Sequence, residues 1–274
     1  MKIENATIKS SLSYILLTLL AIFFLIPFVW VFVEGFASIS NEGFGNFGSF
    51  TIAAYAEIFA NKYFSLSIEN GLIQSLGGTA ISITLAVFAS YVFSRKRFPF
   101  RIALILTILF FTGFPVFSLL IPMYVFYQNV NLYNTQIGVI LFLGVLNLPI
   151  TIWIMKNSFD QIPRSIERAA LVDGASSFQS ITRVFLPLAF PTIAVLILLD
   201  FITNWGNFYV PYILLSSRHL FPIAVYIYTY FGAYSVQYNQ LAAASVVYMI
   251  PTLIMYIFAQ KYLIKAFSVG GVKG

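Results

Sequence analysis

A small set of polar and aromatic side chains interrupts the apolar stretches of this 274-residue chain, and these are its candidates for binding chemistry. A charge near the centre of a bilayer costs roughly 2.5–3.5 kcal/mol on insertion scales, so a residue of this kind is a functional candidate by default. Amides, a carboxylate and aromatic rings together offer hydrogen bonds and flat faces to a polar solute in a dry setting. The candidate residues for lining a solute path are Asn147, Asp200, Asn204, Trp205, Asn207 and Tyr209.

Two of these residues have a second interpretation. Asp200 either lines a solute path or pairs structurally with a helix of a neighbouring subunit. Trp205 either contacts solute or belongs to the aromatic belt at the outer membrane interface. The sequence leaves both alternatives open.

Groups that make or break covalent bonds form no recognisable constellation in the sequence. It contains no P-loop and no H-E-x-x-H motif, and its single histidine, His219, stands beside Arg218. The chain has no cysteine, which excludes disulfides and thiolate metal sites. We therefore expect a non-catalytic protein that binds no metal and no cofactor of its own.

The elements that must position the candidate residues are membrane-spanning helices. With 60% hydrophobic and 9% charged residues, the composition lies outside the range of soluble globular proteins. A spanning helix needs about 20 predominantly apolar residues. The uncharged runs predict an all-α membrane protein of a single domain, 1–274, with six transmembrane helices at about 12–33, 71–94, 102–127, 137–155, 188–209 and 241–260.

The distribution of basic residues predicts the orientation of these spans. With the N-terminus inside, 13 of the 15 lysines and arginines lie in the cytoplasm, and only Lys62 and Arg218 lie outside. This agrees with the positive-inside rule and predicts a multi-pass cell-membrane protein with both termini cytoplasmic. The same bias explains the net charge of +6, which therefore implies no nucleic-acid partner.

Prolines and a glycine within four of the predicted spans favour bent or unwound helices. Proline removes a backbone donor and clashes with the preceding turn, so it kinks a helix. Such irregular backbone suits a core that lines a path. The alternative is that these prolines only reflect the higher frequency of proline in membrane helices. The positions are Gly113, Pro115 and Pro122 in the third span, Pro149 in the fourth, Pro191 in the fifth and Pro251 in the sixth.

Residues 156–186 form a polar island between the fourth and fifth spans. Pro163 suits the first turn of a helix, and the run 164–172 continues that helix. Gly174 stands where a left-handed helix terminator belongs. The pattern predicts a short cytoplasmic helix that ends in a tight turn.

A second short helix comes after the turn. Ser176 with Gln179 three residues later has the pattern of a capping box, and Pro187 ends the helical run. Two short helices joined at a glycine predict a rigid knob on the cytoplasmic surface. The tip of this knob carries the small residues Ala169, Ala170, Gly174 and Ala175. Another protein's backbone can therefore approach it closely.

Residues 167–175, with the sequence ERAALVDGA, together with the later Leu186 and Pro187, resemble the signature loop of ABC-importer permeases, the "EAA…DGA…LP" segment. The rest of the chain is similar to the carbohydrate-importer branch of that family, the six-helix permeases of the maltose type. Further matching segments are 70–71, 91–95, 120–124, 132–135, 205–208 and Pro251.

The resemblance implies the permease subunit of an ATP-driven importer for a mono- or oligosaccharide. It implies as partners a second permease subunit, an ATPase dimer that uses ATP and Mg²⁺, an extracytoplasmic solute-binding protein and the lipid bilayer. It implies that residues 156–186 are a docking loop for the ATPase. The contacts implied there are by Glu167, Arg168, Ala169, Ala170, Asp173, Gly174 and Ala175. It also implies a C-terminal tail contact to the ATPase by Gly270, Gly271 and Lys273.

The loop departs from the family pattern at Arg168, where a glutamate usually stands. If that acidic pair meets a basic groove on the ATPase, Glu167 carries the role alone; alternatively, the partner has an acidic residue facing Arg168. Two rival functions remain. One is an importer for a polyol, glycerol phosphate or peptide. The other is an ion-coupled secondary transporter, a class that usually has more buried carboxylates and inverted repeats.

Overall fold

The computed structural model describes residues 2–38, 48–231 and 236–270, with side chains placed in 13–38, 48–231 and 236–263. Within these ranges the chain is helical, and extended backbone pairs only as isolated bridges. The expected all-α class is confirmed. The chain divides into two compact units, Met1–Lys62 with Ile227–Met249 and Tyr63–Tyr226 with Ile250–Gly274.

The first unit contains α1 (Lys2–Gly35), α2 (Ala53–Ala60) and the start of the last helix, Tyr238–Gly270. Its close contact is at Gly35, where an added β-carbon would lie 2.9 Å from Tyr55 Oη and 3.2 Å from Ala243 N. The end of α1 can approach these residues only because Gly35 has no side chain. By contrast, residues 13–29 of α1 are apolar and exposed, which is typical of a helix surrounded by lipid.

The second unit is built on α3 (Lys62–Arg95), a single unbroken helix. Most of its buried residues between Ser67 and Ser82 are small or polar, whereas its exposed face carries large apolar side chains such as Leu76 and Phe88. This arrangement is the reverse of a soluble amphipathic helix and suits close packing of helices inside a membrane protein. The buried polar and glycine positions recur at helical spacing: Ser67, Asn70, Gly71, Gln74, Ser75, Gly78, Thr79, Ser82, Ser90 and Ser94.

The remaining elements are mostly shorter helices. The elements before the docking loop are α4 (Arg101–Phe110), a 3-10 turn (Phe111–Gly113), α5 (Val116–Asn129), α6 (Gln136–Leu146) and α7 (Leu148–Asp160). The docking loop and the segment after it contain α8 (Arg164–Val172), α9 (Ser177–Ser180), a π-helix (Ile181–Phe185), α10 (Leu186–Leu188), α11 (Phe190–Trp205) and α12 (Tyr209–Leu214). A 3-10 turn (Arg218–Leu220), α13 (Ile223–Tyr226), a further 3-10 turn (Ile227–Tyr230) and α14 (Tyr238–Gly270) end the described chain.

Three of the predicted spans are bent pairs of helices. The bends measure 96° between Arg101–Gly113 and Val116–Asn129, 47° between α6 and α7, and 82° between Ser177–Leu188 and α11. Three helices of the described chain are long and apolar enough to cross a membrane singly, and six spans result if each bent pair counts as one. The six-helix expectation is met in this form.

Proline explains where the bends fall. Pro115, Pro149 and Pro191 each stand at or next to the first turn of the second helix of a pair, where a missing N–H costs least. Pro122 and Pro251 lie inside α5 and α14, which continue past them. The predicted fifth span, 188–209, ends earlier than expected, because α11 stops at Trp205 and α12 begins at Tyr209.

Candidate functional site

Two of the predicted path residues form a hydrogen-bonded pair in the interior of the second unit. Asn147, between α6 and α7, donates from Nδ2 to Asn204 Oδ1 on α11 at 2.8 Å. Asn204 in turn donates from Nδ2 to Thr79 Oγ1 at 3.3 Å and to the carbonyl of Ser75 at 3.5 Å, both on α3. All of these side chains are buried, so the amides tie three helices together.

Asp200 lies one turn before Asn204 on α11 and is only 3% exposed. The Thr151 hydroxyl of α7 donates to Asp200 Oδ1 at 3.0 Å. Ser82 and Thr151 contact each other at 3.4 Å. The described hydrogen-bond partner of Asp200 is therefore a hydroxyl group of its own subunit, not a basic side chain.

Trp205 is buried, at 3% exposure, and packs inside the unit. Its ring stacks on Phe201 with centroids 5.9 Å apart and planes at 15°. On the other side, the ring meets the backbone of α3, since a β-carbon at Gly71 would lie 2.9 Å from Trp205 Cζ3. The indole is therefore enclosed by residues of its own chain.

Asn207 and Tyr209 lie apart from that interior group. The Asn207 side chain caps α12 by accepting a hydrogen bond from Val210 N at 3.0 Å. Tyr209 is half exposed, and its ring meets Phe117 edge to face with centroids 4.5 Å apart. Tyr209 therefore has the most exposed side chain of the predicted path residues.

A second amide network was not predicted from the sequence. Asn70 of α3 donates to the carbonyls of His219 at 2.8 Å and Phe221 at 3.2 Å. Gln74 donates to Leu220 O at 3.1 Å and to Gln136 Oε1 at 2.8 Å. The amides hold the loop after α12 against α3. Their signal in the sequence was the polar stripe of α3, which repeats at helical spacing within an apolar span.

The docking-loop residues form a helical hairpin as predicted. α8 covers Arg164–Val172, and Gly174 has φ +85°, a left-handed conformation that glycine adopts without penalty. Both capping-box bonds are present: Gln179 N donates to Ser176 Oγ at 3.2 Å, and Ser176 N donates to Gln179 Oε1 at 2.8 Å. The local chemistry of the loop thus fixes its shape.

The two faces of α8 differ sharply. Glu167 is turned inward, forming an ion pair with Arg95 at 3.2 Å (Nε to Oε2) and accepting a hydrogen bond from Tyr91 Oη at 2.8 Å. Arg168 is exposed, and Val172 is 87% exposed. Of the other predicted docking residues, Ala169, Asp173 and Gly174 are exposed, and Ala170 and Ala175 are partly buried. The Glu167 carboxylate is therefore held within its own chain.

The predicted tail contact lies mostly outside the described residues. Gly270 is the last residue of α14, and Gly271 and Lys273 fall beyond the described ranges. That interaction stays a prediction.

These features define a class: a helical membrane protein with a polar interior and an exposed hairpin of two short helices. The chain belongs to the family described as "Binding-protein-dependent transport system inner membrane component", whose model matches residues 78–269. The match includes α8, the hairpin and the buried network around Asp200. Membership makes the chain a membrane component of a binding-protein-dependent transport system.

Named relatives and a solved structure agree with this assignment. The chain is 33% identical to the maltose/maltodextrin transport system permease protein MalG of Escherichia coli, over 76% of this chain and 71% of that protein. It is 27% identical to the trehalose/maltose transport system permease protein MalG of Thermococcus litoralis, over 93% and 94% of the two chains. A bacterial ABC transporter involved in the import of the acidic polysaccharide alginate has a chain of the same fold, with TM-score 0.81 and 25% identity over 93% of this chain and 96% of its own.

Proposed function

We propose that this chain is the permease subunit of an ATP-driven importer that moves a sugar delivered by an extracytoplasmic binding protein. Relatives named for maltose, trehalose and diacetylchitobiose uptake support a saccharide as the solute. The similarity extends across more than nine-tenths of the chain for each of these three relatives. A polyol, glycerol phosphate or peptide is the alternative class of solute.

The hairpin of α8 and α9 is the proposed docking site for the ATPase subunit. The observation that carries this proposal is the difference between the two faces of α8: Glu167 anchors the inner face, while Val172 and Arg168 are exposed on the outer face. Leu171 beside Val172 is exposed as well, and adjoining exposed apolar side chains are typical of a protein–protein contact. The small residues at the turn let the partner's backbone approach.

The proposal assigns ATP hydrolysis to separate subunits. An ATPase dimer would use ATP and Mg²⁺, and this chain, with no catalytic group and no cofactor, would respond to the movement of its hairpin. A second permease subunit completes the path. Both termini lie in the cytoplasm in this arrangement, which follows from the 13-to-2 distribution of basic residues.

The structure suggests different roles for the predicted path residues. Asn147, Asp200, Asn204 and Trp205 are buried within one subunit, so we assign them to the framework that holds α3, α7 and α11. We assign solute contact to Tyr209, with Asn207 setting the start of α12 beside it. An aromatic ring with an exposed face is suited to stacking on a sugar ring.

The experiment that tests the function is uptake in proteoliposomes containing this chain and the other proposed subunits. With ATP in the compartment that the hairpin faces and no ion gradient, labelled maltose or trehalose should accumulate when the solute-binding protein is present. Uptake of glycerol phosphate or a peptide instead of a sugar would show that the solute belongs to that other class. Uptake that ignores ATP and requires a proton or sodium gradient would overturn the importer.

A further inference from the structure

Arg95, the last residue of α3, makes an unusual number of contacts for a residue at the end of a membrane helix. Its side chain is only 5% exposed and pairs with Glu167 of α8. Its Nη2 donates to the carbonyls of Phe159 at 2.8 Å and Ile162 at 2.6 Å, at the end of α7. The guanidinium also lies over the ring of Phe185, 4.8 Å from its centroid. Phe185 belongs to the π-helix that leads to α11.

The groups around Arg95 also contact one another. The Phe185 ring meets Tyr91 and Phe159 edge to face, with centroids 5.2 Å and 5.1 Å apart. Phe159 and Phe185 are fully buried. Arg95 therefore lies at a junction of α3, α7, α8 and the segment before α11. Its contact with Glu167 is an ion pair, and its bonds to the two carbonyls are charge-assisted, which makes them among the stronger hydrogen bonds in proteins.

The helices α3, α7 and α11 are also joined directly to one another. Ser90 of α3 donates to Ile152 O of α7 at 2.9 Å, and Ser158 of α7 contacts Thr192 of α11 at 3.0 Å. The network around Asp200 links α3, α7 and α11 a further time. Hence α8 is attached, at Arg95, to helices that are already bound to one another.

We propose that Arg95 is the positioning residue that makes the docking helix α8 move as one body with α3, α7 and α11. This inference rests on the proposed function, because it assumes that an ATPase subunit moves α8. A displacement of α8 would pull on Glu167, and the ion pair would transmit it to α3. The carbonyls of Phe159 and Ile162 would carry it to α7 at the same time.

Arginine suits this position better than another cation. Its planar guanidinium directs nitrogen atoms along different edges, so one group can meet a carboxylate and two carbonyls while a ring covers its face. A lysine ammonium is a point donor that cannot present such a face to Phe185. The geometry around Arg95 uses all of these properties together.

Coupling is tested first by substitution. Arg95→Met keeps the apolar stem and removes the guanidinium, and we expect the ratio of solute-stimulated to basal ATPase activity in the assembled transporter to fall about tenfold, a size typical of coupling between sites. Glu167→Gln should lower the same ratio. The matched control is Arg97→Met, because Arg97 is exposed two residues further on and should leave the ratio unchanged. An unchanged ratio in both Arg95→Met and Glu167→Gln would overturn the proposal.

A distance measurement tests the inference in the unmodified junction, independently of whether a variant folds. The chain has no cysteine, so spin labels can be attached at Leu76→Cys on α3 and Ser165→Cys on α8, both exposed positions outside the proposed ATPase contact. Leu76 lies about 28 Å along α3 from Arg95 at 1.5 Å per residue, which gives a long lever. The label separation should be the same without nucleotide and with trapped ATP, and should differ between the two states in Arg95→Met. A separation that changes in the unmodified junction would refute rigid attachment.

Failure of this inference is distinguishable from failure of the proposed function. If the chain is not an importer subunit, it will not co-purify with an ATPase, and ATP will drive no uptake. If it is an importer but α8 moves independently of α3, uptake will be ATP-driven while the two labels change separation. Only the second outcome bears on Arg95 alone.

Discussion

Trp205 of α11 packs against the bare backbone of Gly71 on α3, so closely that a β-carbon at Gly71 would lie 2.9 Å from ring atom Cζ3. The glycine provides the space that the indole occupies. Close approach of this kind is the usual role of small residues between membrane helices. The pair thereby fixes the spacing of α3 and α11 beside the buried polar network.

Gly71→Val should destabilise the protein by overpacking this contact. Inserting side-chain atoms into a packed core typically costs about 1–3 kcal/mol. Thermal unfolding in detergent should show the loss. Gly113→Val is the matched control, since a β-carbon at Gly113 meets nothing within 4 Å. Equal stability of the two variants would contradict the packing described.

Trp205→Ala should lower uptake through loss of the fold. Truncating a buried aromatic side chain costs about 3–5 kcal/mol, so expression and thermal stability should fall together with transport. Tyr209→Ala, at a half-exposed ring, should lower sugar uptake with little change in thermal stability. If Trp205→Ala lost sugar uptake at unchanged stability, the tryptophan would contact solute directly.

Asp200→Asn should keep ATP-driven uptake. The amide can still accept the Thr151 hydrogen bond, and the energy for transport comes from the ATPase. Asp200→Leu should be more destabilising than Asp200→Asn, because leucine offers no acceptor to the buried Thr151 hydroxyl, which then keeps only the carbonyl of Asn147 at 2.9 Å. Thr203→Val, on the exposed side of α11, controls for a polar-to-apolar change in that helix. If uptake required an ion gradient and Asp200→Asn removed that requirement, the protein would instead be an ion-coupled carrier.

Gly174→Val should disrupt the hairpin without disturbing its surroundings. Nothing lies within 4 Å of a β-carbon at this position, so the cost comes from the left-handed backbone, φ +85°, and is roughly 1–2 kcal/mol. The variant should reach the membrane yet lose association with the ATPase in co-purification. Gly174→Asn is the matched control, since asparagine tolerates this conformation. Normal association of the valine variant would argue against docking through this hairpin.

Reporter fusions should test the orientation. Fusions after Tyr133 and after Ser217 should report the extracytoplasmic side, and fusions after Lys96 and Ser176 should report the cytoplasm. The expectation rests on the positions of the basic residues. A cytoplasmic signal at Tyr133 would require a different number of spans.

The features that the sequence predicted well are those whose causes are local. The turn at Gly174 and the capping box of Ser176 and Gln179 depend on residues within a few positions of one another, and both are present. The breaks at Pro115 and Pro149 also result from a missing N–H and a ring at one position. Pro122 and Pro251 show the limit, because neighbouring helices can accommodate a proline without a break.

The pairing of Glu167 with Arg95 could not be predicted, because it joins residues far apart in the chain. The motif in 167–175 suggested that Glu167 faced a partner, but a motif gives no direction for a side chain. The burial of Trp205 could not be predicted for the same reason, because it depends on Gly71 in another helix. Helical periodicity of the polar residues in α3 was the available signal that its inner face would be satisfied by distant segments.

The long-range hydrogen bonds of α3 also bear on the synthesis of the protein. Asn204 reaches Ser75 across 129 residues, and Asn70 reaches Phe221 across 151. At translation rates of about 5–20 residues per second, partners at that separation emerge roughly 6 to 30 s after α3 itself. During that interval a helix with a polar stripe must wait at the insertion machinery or in lipid with its amides unsatisfied. Chains that terminate before α11 lack the carbonyls of residues 219–221 that Asn70 and Gln74 bind, and we expect such chains to be degraded faster than the full-length chain.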